Sequence, residues 1–374
     1  MKILITGNMG YVGPNVVRQL RASRPGATLI GLDMGYFSHC LTNAVVLPEC
    51  NVDVQYFADV RAVPELVLSG VDAVVHLAAI SNDTMGNTFE EVTMEVNYRA
   101  SIELARKAKE AGAKSFALAS SCSIYGFAKD RPRRETSPVD PLTAYAKSKV
   151  LAERDLAELA DSRFRVTCLR FATACGMSER LRLDLVLNDF IAGAVASKKI
   201  CVLSDGTPWR PLIHVKDMAR ALDWAISREG DGSDDFLIVN AGSDEWNHQI
   251  RDLAEAVARV MPNVEVTINK QAQPDKRSYR VDFSLFKRLA PDHQPKMDLV
   301  TTIAELQSGL EAMRFQNADF RNSHFMRLRV LQDFRAGGLL TERLEWTDKK
   351  LEPAPSLARV SGGPTDAAIA QGIH

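Results

Sequence analysis

The sequence predicts an α/β fold in which a doubly wound parallel sheet is covered by helices on both faces and followed by a smaller C-terminal lobe. Three observations predict it. Short apolar runs alternate with longer stretches of helical period, the runs are apolar throughout rather than on every second residue, and a glycine-rich turn joins the first run to the first helix. The runs fall at 3–6, 28–32, 54–57, 73–77, 115–119 and 165–170, each short enough for a buried parallel strand. Between them, Asn15 to Ala22, Val92 to Ala111 and Ala144 to Ala160 are predicted helices, the last two with apolar residues three and four apart.

Past residue 172 the rhythm loosens, with turns such as Ser204-Asp205-Gly206-Thr207-Pro208. Residues 1–171 are therefore expected to carry the sheet, with returning segments near 211–260, where His214 to Ile226 has helical period and Phe236 to Asn240 can rejoin as a strand. Residues 172–346 are expected to form mainly the second lobe and further C-terminal helices. Phe325, Leu328, Leu331 and Phe334 are helically spaced, with Trp346 beyond them, in an element of no evident purpose. Residues 350–374, with Pro353, Pro355, Gly362, Gly363 and Pro364, lack apolar period and are expected to be a disordered tail.

Composition excludes several classes of protein. Acids and bases nearly cancel, leaving a formal charge of −1, so no basic field is available for a nucleic acid. The basic run Arg131, Arg133, Arg134 is flanked by Asp130 and Glu135 and is expected to be a solvated loop. The six cysteines form no C-x-x-C pair and have no companion histidines at zinc-site spacing, so no metal site is expected. Several lie in apolar runs, as Cys168 does, which suits reduced thiols in a cytoplasm. The opening Met1-Lys2-Ile3-Leu4-Ile5 is too short for a signal peptide, and no stretch reaches the length of a membrane span.

Directly after the first run comes Gly7-Asn8-Met9-Gly10-Tyr11-Val12-Gly13, opening a helix. Glycines there allow a tight turn and a close approach to a pyrophosphate, while the helix N-terminus presents N–H donors and partial positive charge. Asp33 ends the second run, 20 residues past Gly13, where a carboxylate accepts from ribose hydroxyls and repels a 2′-phosphate. No Arg or Lys occurs in Met34-Gly35-Tyr36-Phe37-Ser38 to hold such a phosphate. A Rossmann-type site for NAD rather than NADP is predicted. Asp59, in Ala58-Asp59-Val60, is placed to accept from an adenine amino group, although an acid at a strand end serves equally well as plain surface.

Tyr145 and Lys149 lie four residues apart on a predicted helix and share one face, whereas Lys147 points elsewhere. A phenol of pKa about 10 is a poor base at neutral pH. An ammonium about 4 Å away, at an effective dielectric near 20, is worth roughly 4 kcal/mol, or about three pK units. Tyr145 is accordingly expected to serve as general base near pH 7. Ser120-Ser121-Cys122-Ser123-Ile124-Tyr125-Gly126 follows the run at 115–119, at the sheet edge where open α/β folds bind ligands.

Taken together, the glycine turn, Asp33, His76-Leu77-Ala78-Ala79, Asn97, the serine-rich turn and the Tyr145/Lys149 pair resemble the extended short-chain dehydrogenase/reductase family, in its nucleotide-sugar epimerase and dehydratase branch. The resemblance covers most of residues 1 to about 310. It implies that Ser121, Tyr145 and Lys149 are catalytic, Tyr145 taking a hydroxyl proton while hydride passes to NAD. It places Gly7, Gly10, Tyr11, Val12, Gly13, Asp33, Asp59, Val60, Leu77, Ala78, Ala79, Asn97 and Phe171 at the cofactor. Cys122 and Ser123 stand where the 4,6-dehydratases carry an Asp-Glu pair, so dehydration is not implied. A cysteine acid/base known in the branch sits one position beyond Cys122, and packing is the alternative for Cys122.

Asp205 to Val215 resembles the segment whose arginine grips a substrate pyrophosphate, which makes Arg210 the match. Asp275-Lys276-Arg277-Ser278-Tyr279-Arg280 resembles the segment supplying a second, with Arg277 chosen over Arg280. Either arginine can instead be a surface ion pair. Arg182 to Phe190, with Asp275 to Tyr279, looks most like the subgroup of GDP-heptose 4-dehydrogenases and related 4-epimerases. By that likeness Asn188, Ser81 and Thr173 face the substrate, Thr173 replacing the asparagine usual in the segment. A nucleoside-diphosphate sugar oxidised at C4 is implied, ending in C4 epimerisation or a released 4-keto sugar. The other readings are a 4-keto-sugar reductase and a non-catalytic NAD-binding regulator. A homodimer paired through the helices at 92–111 and 144–160 is also implied.

Overall fold

The structure is a computed structural model, which describes residues 1–128, 131–228, 235–272 and 277–348. Twelve strands occur among these residues. They are β1 (Lys2–Thr6), β2 (Thr28–Asp33), β3 (Val54–Phe57), β4 (Ala73–His76), β5 (Ser115–Ser121), β6 (Arg165–Phe171), β7 (Thr173–Cys175), β8 (Lys199–Val202), β9 (Trp209–His214), β10 (Phe236–Ala241), β11 (Asn247–Gln249) and β12 (Glu265–Ile268). Seven form one sheet in the order β10-β6-β5-β4-β1-β2-β3, and every pairing in it is parallel. This is the predicted doubly wound sheet. Chain order reverses between β1 and β4, which leaves a crevice at their C-terminal ends.

Successive residues of each strand go to opposite faces, and both faces are dry. Ile3 and Ile5 pack with Val16, Leu20 and Leu222 on one side. Leu4, Val74 and Phe116 pack with Leu104 and Leu156 on the other. Burying each such side chain stabilises the fold by about 1.5–3 kcal/mol, and this two-sided burial is why the strands are apolar throughout. Cys168 is one of the buried side chains of the second cluster, a small hydrophobe as expected.

The first helix runs Gly13–Ser23, with Pro14 in its first turn, where a missing N–H costs nothing. The stretch predicted as one helix from Val92 to Ala111 is instead Glu90–Met94, a wider π turn over Glu95–Arg99, and Ala100–Glu110. An inserted turn of this kind has no periodic signature in a sequence. His214, predicted to begin a helix, ends β9 and caps Val215–Ser227, its Nδ1 accepting from Lys216 N at 3.1 Å. The strand predicted at Phe236 to Asn240 is β10, which joins the sheet beside β6. Smaller sheets, β11-β9-β7 and β12-β8, carry the segments after β6.

Among the described residues, those up to Leu331 form one compact unit and those from Gln332 to 348 a second. The helix Arg327–Ala336 occupies the helically spaced C-terminal segment. Within the second unit, Phe334 and Trp346 meet with ring centroids 5.4 Å apart. The tail expected at 350–374 lies outside the described residues.

At the centre of the sheet, His76 is held as a neutral ring. Ser101 Oγ donates to Asn97 O at 2.8 Å, so it accepts from His76 Nε2 at 2.8 Å, and Nδ1 accepts from Thr6 Oγ1 at 2.6 Å. Burial first, then the Lys149 charge, lowers its pKa from 6.5 to about 3. Because the folded pKa lies below the unfolded one, the unfolded chain binds more protons between those values, and stability falls as pH drops through that window. Relative to His76→Gln, the wild type is expected to lose up to about 1.4 kcal/mol per pH unit below about 6.5. Denaturant unfolding at several pH values checks this, and equal slopes for the two proteins contradict it.

Candidate active site

A cavity of about 710 Å³ opens at the C-terminal ends of β1, β4 and β5. One wall is the turn after β1, with Gly7, Gly10, Tyr11 and Val12 lining it. Gly7 has φ +74°, and a Cβ on Gly13 would stand 2.0 Å from Asn8 O, so these two glycines serve the turn itself. Gly10 differs. A Cβ there would meet only Gly7 O, at 3.2 Å, and would project into the space beside the helix N-terminus. Asp33, at the end of β2, accepts from Met9 N at 3.0 Å and Gly35 N at 2.8 Å, tying the turn to the loop after β2 while keeping lone pairs for a ligand. Burial raises its pKa and these two N–H groups oppose the rise.

Val60, Leu77, Ala78 and Ala79 continue this wall. Asp59 lines it too, with its carboxylate capping the turn at 60–62 and paired with Arg61 at 2.6 Å. A Gly cradle at a helix N-terminus and an acid at the end of β2 fit a dinucleotide, whose pyrophosphate Gly10, Tyr11 and Val12 would approach and whose ribose Asp33 would hold.

Ser121, Tyr145 and Lys149 share the facing wall. Ser121 is the last residue of β5 and Tyr145 lies in the first turn of the helix Ala144–Ala157, so a strand end and a helix start bring them together. The Ser121 hydroxyl lies close enough to the Tyr145 phenol to lower its pKa, and stands 3.0 Å from Ser123 Oγ. Lys149 Nζ stands 5.8 Å from the centroid of the Tyr145 ring. The electrostatics differ from the expectation drawn from sequence. With protein groups alone, burial pushes the phenol up to about 12, against the lowering effect of Ser121. Burial likewise brings Lys149 down to about 8. Desolvation dominates at both groups, and the cation whose charge opposes it at the phenol is Arg182 rather than Lys149.

The helix bearing Tyr145 is fixed at its start by Thr143, whose Oγ1 accepts from Ala146 N at 3.1 Å and donates to Asp83 at 2.6 Å. Asp83 also pairs with Arg277 at 2.8 Å. Below the pair, Glu153 and Arg170 form a buried salt bridge at 2.7 Å. Glu153 also accepts from Ser120 Oγ at 2.5 Å, and Arg170 donates to Tyr125 Oη at 3.0 Å. Cys122 is fully buried and its thiol donates to Arg170 O at 3.1 Å, turned away from the cavity, with its pKa raised by burial.

Among the residues expected near substrate, Ser81, Thr173, Arg210 and Arg277 line the cavity, as does Phe171. Arg210 donates to the carbonyls of Trp209 and Arg277. Asp275 and Lys276 lie outside the described residues. Two asparagines are not brought to the cavity wall. Asn97, in the π turn, accepts from Ile80 N at 2.8 Å and donates to Ile80 O at 3.0 Å, holding the loop after β4 from behind. Asn188 accepts from Gly176 N at 3.1 Å and donates to Tyr11 Oη and Arg182 O, both at 2.9 Å. Both amides are spent inside the protein, where an amide's matched donor and acceptor make it a good clamp on backbone.

Sequence reasoning missed Arg182 and Asp184. Arg182 is buried, paired with Asp184 at 2.8 Å, and donates to Ser81 Oγ at 2.9 Å at the cavity wall. An Arg-x-Asp triplet is a local ion-pair signal, but nothing local says that the pair is buried or that Ser81 meets it. Asp83 was missed as well, because its partner Arg277 is 194 residues away.

Fold and cavity together define an α/β enzyme of the dinucleotide-binding kind. Residues 3–242 match the NAD dependent epimerase/dehydratase family, and the chain belongs to it. Its cofactor is therefore NAD. A relative described as uncharacterized UDP-glucose epimerase YtcB, from Bacillus subtilis (strain 168), is 29% identical over 237 residues, covering 61% of this chain and 73% of that protein. UDP-glucuronic acid decarboxylase 6 from Arabidopsis thaliana is 24% identical over 306 residues, covering 80% and 85%. The solved structure of MoeE5 in complex with UDP-glucuronic acid and NAD has the same fold, with TM-score 0.71 at 23% identity over 84% of this chain and 100% of that one. No helix among the described residues is long and apolar enough to cross a membrane.

Proposed function

We propose that this enzyme oxidises C4 of a nucleoside-diphosphate sugar, giving either the C4 epimer or a 4-keto sugar. One observation carries the reading. Ser121 and Tyr145, with Lys149 on the same helix face as Tyr145, front a cavity that also holds the glycine cradle and two arginines, Arg210 and Arg277. NAD, when bound, supplies a ring that accepts a hydride. Tyr145 Oη takes the proton of the C4 hydroxyl, Ser121 Oγ holds that hydroxyl by a hydrogen bond, and Lys149 offsets the charge left on the phenol. Arg210 and Arg277 present guanidinium groups suited to a diphosphate. The relatives include proteins described as an epimerase and as a decarboxylase, both named for UDP-sugars, which supports the substrate class. The Asp-Glu pair with which 4,6-dehydratases eliminate water has no counterpart, because Cys122 faces the core and Ser123 is no acid.

The test is NMR of GDP-, UDP-, dTDP- and CDP-sugars incubated with the enzyme and NAD. At least one is expected to become its C4 epimer or 4-keto form. A substrate deuterated at C4 keeps its label in an epimer and loses it in a released 4-keto sugar, which separates the two endings. A protein that binds NAD but alters no sugar would refute the reading. The same reading extends to a two-fold dimer paired through the helices at 90–110 and 144–157.

A further inference from the structure

The cavity has a polar pair that neither the cofactor wall nor the Ser121–Tyr145 wall accounts for. Asp189, in the first turn of the helix Val186–Ser197, and Arg321, from a short turn at Phe320–Asn322, both line it. Arg321 Nε and Nη2 bind the two oxygens of Asp189 at 2.8 and 2.7 Å, so the guanidinium is held in one plane. Beside them the edge of β8 turns Cys201 and, just past the strand, Leu203 outward into the cavity, while Ile200 and Val202 go to the core. Leu203 is 74% exposed, an apolar surface with no cover in the chain itself.

We infer that the Asp189–Arg321 pair, with Cys201 and Leu203 beside it, is the nucleobase-reading site and selects bases with a lactam edge. This rests on the nucleotide-sugar reading above. A paired guanidinium still has N–H groups to give, and a paired carboxylate still has lone pairs to receive. Side by side they present a donor next to an acceptor. Guanine, uracil and thymine carry a keto oxygen next to a ring N–H, the matching order. Adenine and cytosine carry an amino group next to a bare ring nitrogen, the reverse order. A reversed base sets donor against donor and acceptor against acceptor, and forfeits two hydrogen bonds to charged groups. The apolar edge at Cys201 and Leu203 offers the flat of any base a surface and adds no discrimination of its own. Asp189 and Arg321 are 132 residues apart in sequence, so the pair exists only because the segment after Phe315 folds back over the helix Val186–Ser197.

The experiment is calorimetric titration of the protein, saturated with NAD so that adenosine sites of the cofactor are filled, with GDP, UDP, dTDP, CDP and ADP. One or more of GDP, UDP and dTDP are expected to bind roughly 10- to 100-fold tighter than CDP and ADP. In Arg321→Gln and in Asp189→Asn this ratio is expected to shrink to within a few-fold, with NAD affinity retained as the check on folding. If CDP or ADP binds as tightly as the others, or if both NAD-binding variants keep the wild-type ratio, the base-reading site is refuted while the nucleotide-sugar reading stands. If none of the five binds to NAD-loaded protein, both are refuted.

Discussion

Replacing Tyr145 by Phe is expected to lower kcat about 10²- to 10⁴-fold while leaving NAD affinity within a few-fold of wild type. The hydroxyl is the one group that the change removes, and the ring that fills the cavity wall stays. With protein groups alone the phenol is pushed up to about 12, so at neutral pH it needs a neighbouring positive charge to act as a base. Arg182 already lowers that value, and Lys149 Nζ stands 5.8 Å from the ring centroid on the same helix face. The wild-type kcat/KM is therefore expected to rise with pH on the acid side, by up to tenfold per unit, as the phenolate fraction grows. Lys149→Met is expected to move that limb to higher pH. Turnover unchanged in Tyr145→Phe would show that this phenol does not carry the proton. A non-catalytic regulator would be indifferent to the change, so the same variant separates that reading from an enzyme.

Glu153→Ala is expected to destabilise the protein by about 3–5 kcal/mol, the range for stranding one member of a buried ion pair. Arg170 and Glu153 are 6% and 4% exposed at their side chains. Removing the carboxylate leaves the guanidinium with Tyr125 Oη and Glu135 O as acceptors, neither of them charged, and leaves Ser120 without its acceptor. The double variant Glu153→Leu/Arg170→Met is expected to be markedly less destabilised, because it removes both charges and keeps the volume. Denaturant midpoints measure both. A single variant within 1 kcal/mol of wild type would mean that the pair is far better solvated than its burial indicates. The consequence reaches the site, since Ser120 adjoins Ser121 and Glu153 lies one turn beyond Lys149.

The parallel sheet, the glycine turn, Asp33 and the Ser121–Tyr145–Lys149 grouping were legible in the amino-acid sequence because each rests on local physics. Apolar runs of strand length, glycines at a turn and two side chains four apart on a helix declare themselves within a few residues. The π turn at Glu95–Arg99 was not legible, since one inserted residue leaves the apolar period almost unchanged. Nor were the destinations of Asn97 and Asn188. An asparagine near a ligand and one that clamps a carbonyl are the same residue in the same kind of helix, and only the partners distinguish them.

What the sequence determined by itself is thus the layer order, the glycine-lined cavity wall and the identities of the groups that meet there. Tertiary structure alone decided their electrostatic state and their company. It enclosed Tyr145 and Lys149 so that desolvation opposes the ionisation of both. It also joined Asp83 to Arg277, Arg182 to Ser81 and Asp189 to Arg321. Burial and pairing depend on which distant segments close over a group, and that information resides in the packed chain rather than in any window of it.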